Sequence, residues 1–229
     1  MTAPPSPPPL QLTSPRLTLE LFSRSNPAHY ALMLGVINNP IAHATMGDYG
    51  IRTASQLDAL NQATFLRSPI SFPQELIYIL QLHLKSDAET ETETMIGAVT
   101  LAQRSSTIPP DIGWALLPAY MGKGYATEAA GELLRWVRES WGVGVCTWPD
   151  ERNGGSVRVA EKLGFVDGGF VRSVDGHGEV RDEDEGRVDG GGELIRTWVL
   201  PGMRRLDEGG VVEISFWGEQ GGGMRARGE

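Results

Sequence analysis

The chain has 229 residues, with 20 Lys and Arg against 29 Asp and Glu and a formal net charge of -9. That length suits one α/β-sized domain with tails, and the acidity excludes the clustered basic face that nucleic-acid binding needs. One cysteine, Cys146, excludes an internal disulfide framework and fits a reducing, cytoplasmic setting; no apolar run approaches the roughly 20 residues of a membrane span, so no membrane partner is expected.

From Met1 the chain is proline-rich with few core formers, and residues 1–13 read as a disordered leader. Arg16 to Phe22 then alternates Leu17, Leu19 and Leu21 on one face, the mark of a half-buried strand. Helical spacing of Tyr30, Leu34 and Ile37 after Asn26-Pro27 predicts a helix to about Ile37, and a second fits Thr53 to Leu66. His43 to Ile51 reads as a loop between them, carrying His43 and Asp48. Glu75 to Leu84 and Met95 to Leu101 read as strands joined by an acidic, Thr-rich hairpin loop.

Asp111 to Leu117 is the next strand, and the glycine turn Met121 to Ala126, MGKGYA, follows it. A helix comes next, with Ala126, Ala129, Ala130, Leu133, Leu134 and Val137 on one apolar stripe. Gly142 to Trp148 reads as a strand with Val143, Val145 and Thr147 on one face; Cys146, on the other, reads as packing. Asn153-Gly154-Gly155-Ser156 opens a further helix that stops at Gly164-Phe165. Beyond it lie a strand, a flexible acidic glycine-rich loop at about 175–192, a last strand from Glu193 to Leu200, and a polar glycine-rich tail, 203–229, in which VVEISFW, 211–217, is the one strand-like piece and has no assigned place. Strands that follow strands before a helix arrives predict an α+β fold, with a central, mostly antiparallel mixed sheet flanked by helices in one domain, 14–202.

A strand that stops at a glycine turn before a helix leaves backbone N–H groups unpaired and aimed one way. Such a turn can hold an anion, or it can simply reverse the chain. Gly122 and Gly124 allow positive φ and close approach, Lys123 adds a charge, and Ala126 keeps the first helical turn small. The turn is not a P-loop, because Gly124 follows Lys123 where Ser or Thr would stand, and it lacks the GxGxxG spacing of dinucleotide folds.

WALLPAYMGKGYATEA resembles the acetyl-CoA-binding segment of the GNAT N-acetyltransferases, in particular the branch of ribosomal-protein N-terminal acetyltransferases. Its pattern, [QR]xxGx[GA], is met from Met121 to Ala126 except at Met121, where Gln or Arg is usual. RNGGSVRVAEKLGF is similar to the same branch's N-x-x-S segment, and SPRL to its opening T-x-RL. Two motifs in order, about 30 residues apart, are far more specific than either alone.

The resemblance implies a GNAT-like fold and acetyl-CoA as co-substrate, with an amine acceptor, a small molecule or a protein N-terminus, attacking directly in a ternary complex of a monomer or homodimer. It places the coenzyme on Leu116, Leu117, Met121, Gly122, Lys123, Gly124, Tyr125, Ala126, Asn153 and Ser156, with an N–H near Leu116 or Leu117 on the acetyl oxygen where the strand splays. It nominates Ser156 as the group that assists the leaving sulfur, since Ala160 stands where many relatives carry Tyr. Asp111 holds the place of a base, and no metal is implied. An α-amine with pKa near ~7.7 needs little help, whereas a lysine near ~10.4 must lose its proton at a cost of about 4 kcal/mol. Met121, Ala160 and the lack of a clear base also leave open a catalytically weak or inactive acyl-CoA-binding protein of this fold.

Overall fold

The computed structural model describes residues 7–65, 76–83, 93–103, 107–173 and 193–214. The acidic hairpin loop, the acidic glycine-rich loop and the end of the tail lie outside the described residues. Among the described residues, nine strands form one mixed sheet in the order β1-β2-β3-β4-β5-β6-β8-β7-β9. They are β1 (Gln11–Thr13), β2 (Leu17–Leu21), β3 (Leu76–His83), β4 (Glu93–Ala102), β5 (Asp111–Leu116), β6 (Cys146–Thr147), β7 (Val166–Ser173), β8 (Glu193–Val199) and β9 (Val212–Ile214). The five α-helices among the described residues are α1 (Pro27–Ile37), α2 (Pro40–Met46), α3 (Ala54–Phe65), α4 (Tyr125–Ser140) and α5 (Gly154–Lys162). The fold is α+β, and among the described residues only the β5–β6 and β7–β9 pairs run parallel.

Period-2 alternation assigns each strand's residues to two layers. Leu17, Leu19, Tyr78, Leu80, Ile112 and Leu116 face α4, whose six-residue stripe from Ala126 to Val137 is buried as its spacing predicts. Ile77, Ile79, Ala98 and Ala102 face the other way, against Leu32 and Val36 of α1 and Leu57 of α3. A bulge interrupts β4, where Leu80 pairs with Gly97 and Gln81 with Met95, so Ile96 is the extra residue. Ile96 and Ala98 therefore enter opposite layers, although two positions apart.

Four elements differ from the sequence-based expectation. Strand β1 falls inside the stretch read as leader, with Leu12 buried in a short hairpin with β2. His43 lies in helix α2 and not in a loop: Asn39 accepts the N–H groups of Ile41 and Ala42 at 3.1 and 3.0 Å, and Pro40 sits in the first turn. The strand expected from Gly142 to Trp148 pairs only at Cys146 and Thr147. The tail re-enters the sheet as β9, where Ile214 is buried beside Val171 and Ile108.

Candidate active site

The sheet opens between β5 and β6. A single residue pair, Asp111 with Cys146, joins the two strands, and the Cys146 N–H donates to the Pro110 carbonyl at 3.0 Å. Thr147 Oγ1 then donates to the Ile112 carbonyl at 2.9 Å, a side chain standing in for the next rung. From Gly113 to Leu116, β5 has no ladder partner on this side among the described residues. The bulge lies next door in β4 and not in β5 itself, beside the last residues of β5.

Ladder parity decides which amides face the opening. The Leu117 N–H donates to the Ile96 carbonyl at 2.9 Å, so Ala115 and Gly113, two and four residues back, also point towards β4. Trp114 and Leu116 therefore direct their N–H groups towards β6, where the sheet has parted. Of the two residues expected near the acetyl oxygen, Leu116 offers an amide to the gap and Leu117 does not.

Asn153 caps α5 by accepting the Ser156 N–H at 3.1 Å, which fixes the first turn of that helix across the opening. Trp114 Nε1 donates to Ser156 Oγ at 3.3 Å. An indole N–H is a donor only, so Ser156 must accept it and keeps its own hydroxyl proton for another partner. Nothing in the sequence reading pointed to Trp114. Its signal was the alternation of β5, which puts Trp114 on the same face as Ile112 and Leu116.

After β5 a single 3-10 turn, Pro118–Tyr120, leads to the glycine turn. Gly122 and Gly124 take φ of 75° and 84°, the left-handed region that favours glycine. Gly124 is the N-cap of α4 and has no side chain to close the helix, so first-turn N–H groups are left for whatever stands in front. Met121, Gly122, Lys123 and Gly124 are exposed, Tyr125 is half-buried and Ala126 is buried. The Lys123 ammonium lies 5.5 Å from the centre of the Tyr120 ring, within cation–π range and facing solvent. This turn fits a diphosphate by backbone amides, an open approach and one exposed cation.

Asp111 stands apart from these groups. It is buried at the closed end of the opening, five residues before Leu116 and thus about 16 Å back along the strand. The structure joins Trp114 to Ser156, leaves the Leu116 amide on the β6 side of β5 and leads from there through one 3-10 turn to Met121–Ala126, while Asp111 lies at the other end of the strand. Among the described residues no three His, Cys, Asp or Glu side chains converge to hold a metal ion.

A family model described as the acetyltransferase (GNAT) domain matches residues 16–166. No curated protein sequence matches. Among solved structures, a GNAT-family acetyltransferase from Bacillus anthracis is 17% identical at a TM-score of 0.55, covering 82% of this chain and 95% of its own. Ribosomal-protein-S5-alanine acetyltransferase from Vibrio fischeri is 14% identical at 0.52, covering 83% and 96%. A microcin C7 self-immunity acetyltransferase, solved with acetyl-CoA and AMP, is 14% identical at 0.52, covering 81% and 92%. At these identities the structures are alike in fold.

Proposed function

The chain belongs to the GNAT acetyltransferase family, and from that premise we propose that it transfers an acetyl group from acetyl-CoA to a primary amine, a protein N-terminus or a small amine, by direct attack in a ternary complex. The observation that carries this reading is the opening between β5 and β6, with the Leu116 amide turned towards it, Ser156 tied to β5 through Trp114, and the uncapped start of α4 following β5 after one 3-10 turn.

Acetyl-CoA supplies an activated thioester. The amides of Gly122 to Ala126 and the Lys123 ammonium bind its diphosphate, and Asn153 holds the α5 wall in place. The Leu116 N–H donates to the acetyl oxygen and favours negative charge there. Ser156, with its oxygen engaged by Trp114, donates its hydroxyl proton in a hydrogen bond to the departing sulfur. Among the described residues a base role falls to no side chain beside these groups, since Asp111 lies at the closed end. The amine therefore arrives as the free base, which favours an α-amine over a lysine side chain.

The test is CoA release by the full chain given acetyl-CoA and a panel of amines: peptide N-termini, a lysine side chain and small amines. Release with peptide N-termini faster than with a matched lysine supports the reading, and the reverse order refutes the preference for α-amines. A second reading, a catalytically weak or inactive acyl-CoA binder, has Met121 at the motif's first position and fully buried Ala160 at the tyrosine position in its favour. CoA binding without release across the panel would select it.

A further inference from the structure

Arg16 lies outside the glycine turn and outside the Asn153–Ser156 motif, in the connection between β1 and β2. Its side chain nevertheless grips the turn from three directions. The guanidinium lies over the Tyr125 ring, 4.5 Å from its centre. Nη1 donates to the Lys123 carbonyl at 3.1 Å, and Nε donates to Glu128 Oε2 at 2.6 Å. The fit at Gly124 is close as well, since a Cβ there would stand 3.4 Å from Nη2.

Glu128 is the other half of this arrangement. It sits in the first turn of α4, where an acid stabilises the helix but also sets a negative charge close to the amides that would hold an anion. Its carboxylate is largely covered, and among the described residues every donor to it comes from the β1–β2 connection. The Ser14 hydroxyl and the Arg16 backbone N–H both donate to Oε1 at 2.8 Å, and the Arg16 guanidinium takes Oε2. The carboxylate is thereby neutralised where it stands, on the side of α4 that the hairpin covers. Holding the Lys123 carbonyl fixes the peptide plane between Lys123 and Gly124, and with it the direction of the Gly124 N–H.

We propose that Arg16 is a positioning residue for the coenzyme's diphosphate: it sets the glycine turn through the Lys123 carbonyl and cancels the charge of Glu128. The inference rests on the acetyl-CoA reading, and one arm of its test does not need the coenzyme. A protease that cleaves after lysine attacks the carbonyl that Arg16 holds. In the free full-length protein, Arg16→Ala should speed cleavage after Lys123 about tenfold relative to cleavage after Lys162, because local opening governs the rate. Equal acceleration at both sites, or at neither, overturns the clamp.

The second arm is calorimetry with CoA. Arg16→Ala should weaken binding about tenfold, and Arg16→Ala/Glu128→Gln should recover part of that loss, since the uncompensated charge is then gone while the turn stays unclamped. Arg16→Lys keeps the charge but not the fork, and should fall between wild type and Arg16→Ala. Wild-type affinity in Arg16→Ala, or a double variant that binds no better than Arg16→Ala, overturns the charge-cancelling role. A wild-type chain that binds no CoA removes the coenzyme reading itself, and the protease arm still decides whether Arg16 holds the turn.

Discussion

The Ser156 hydroxyl is poised by a neighbour that can only donate. Removing it in Ser156→Ala leaves the Trp114 indole without its acceptor and the departing sulfur without its hydrogen bond. The expected result is a fall in kcat of about tenfold with CoA affinity nearly unchanged, the size of one hydrogen bond made in the transition state. Steady-state kinetics beside calorimetry checks both halves. His29 offers a second test, on stability. Its ring is fully buried, and Nδ1 accepts the Ser23 N–H at 3.0 Å. Burial pushes its pKa below the ordinary histidine value, against a smaller opposing pull from Glu20. The unfolded chain therefore binds the extra proton first, so the contribution is complete above about pH 6.5 and is lost as pH falls below it. Melting temperature should drop from pH 7.5 to 5.5, and less steeply in His29→Asn, whose side-chain oxygen can still take the Ser23 N–H.

Among the elements, the glycine turn and β4 carry opposite kinds of glycine. Gly122 has open space around it but a positive φ, so Gly122→Val strains the backbone and blocks the amides without disturbing a core. Paired with Gly124→Val, it should abolish CoA binding by calorimetry while the circular dichroism spectrum stays native. Gly97 is the reverse. A Cβ there would stand 2.3 Å from the Ala115 carbonyl oxygen and 2.6 Å from Leu116 Cδ2, beside the bulge. Gly97→Val should cost about 3 kcal/mol in urea unfolding by overpacking and should disturb the Leu116 amide as well. These differences track what a sequence can encode. The α4 stripe was legible because six apolar positions repeat at helical spacing, and the glycine turn because its glycines are diagnostic. Strand β1 was not, since Gln11 to Thr13 offers one apolar residue and gains its place by pairing with β2. Helix α2 is only seven residues, about two turns, and its Asn39-Pro40 signal repeats that of α1, Asn26-Pro27, at its start. The width of the β5–β6 opening depends on long-range pairing, to which local pattern is blind; that is why Val143 and Val145 read as strand although β6 pairs at two residues only.

Across the whole molecule, strands β1 to β5 form one antiparallel meander, while β6, β8, β7 and β9 form a second set of strands. Among the described residues, one residue pair and hydrogen bonds from Thr147 Oγ1 and Cys146 Sγ join the two sets through the sheet, and α4 and α5 add packing across the join. The sheet's own ladder is thus weakest where the proposed chemistry lies, and opening there should cost less than global unfolding. Cys146 occupies that one bridging pair, is fully buried, and is the only cysteine in 229 residues. A thiol reagent therefore modifies the protein at a single atom, and only when the bridge parts. Labelling in native buffer should be slow but faster than global unfolding allows, and acetyl-CoA should slow it in proportion to its occupancy. The wild-type chain thus carries its own clock for the opening of the sheet, read as the uptake of one sulfhydryl label per molecule.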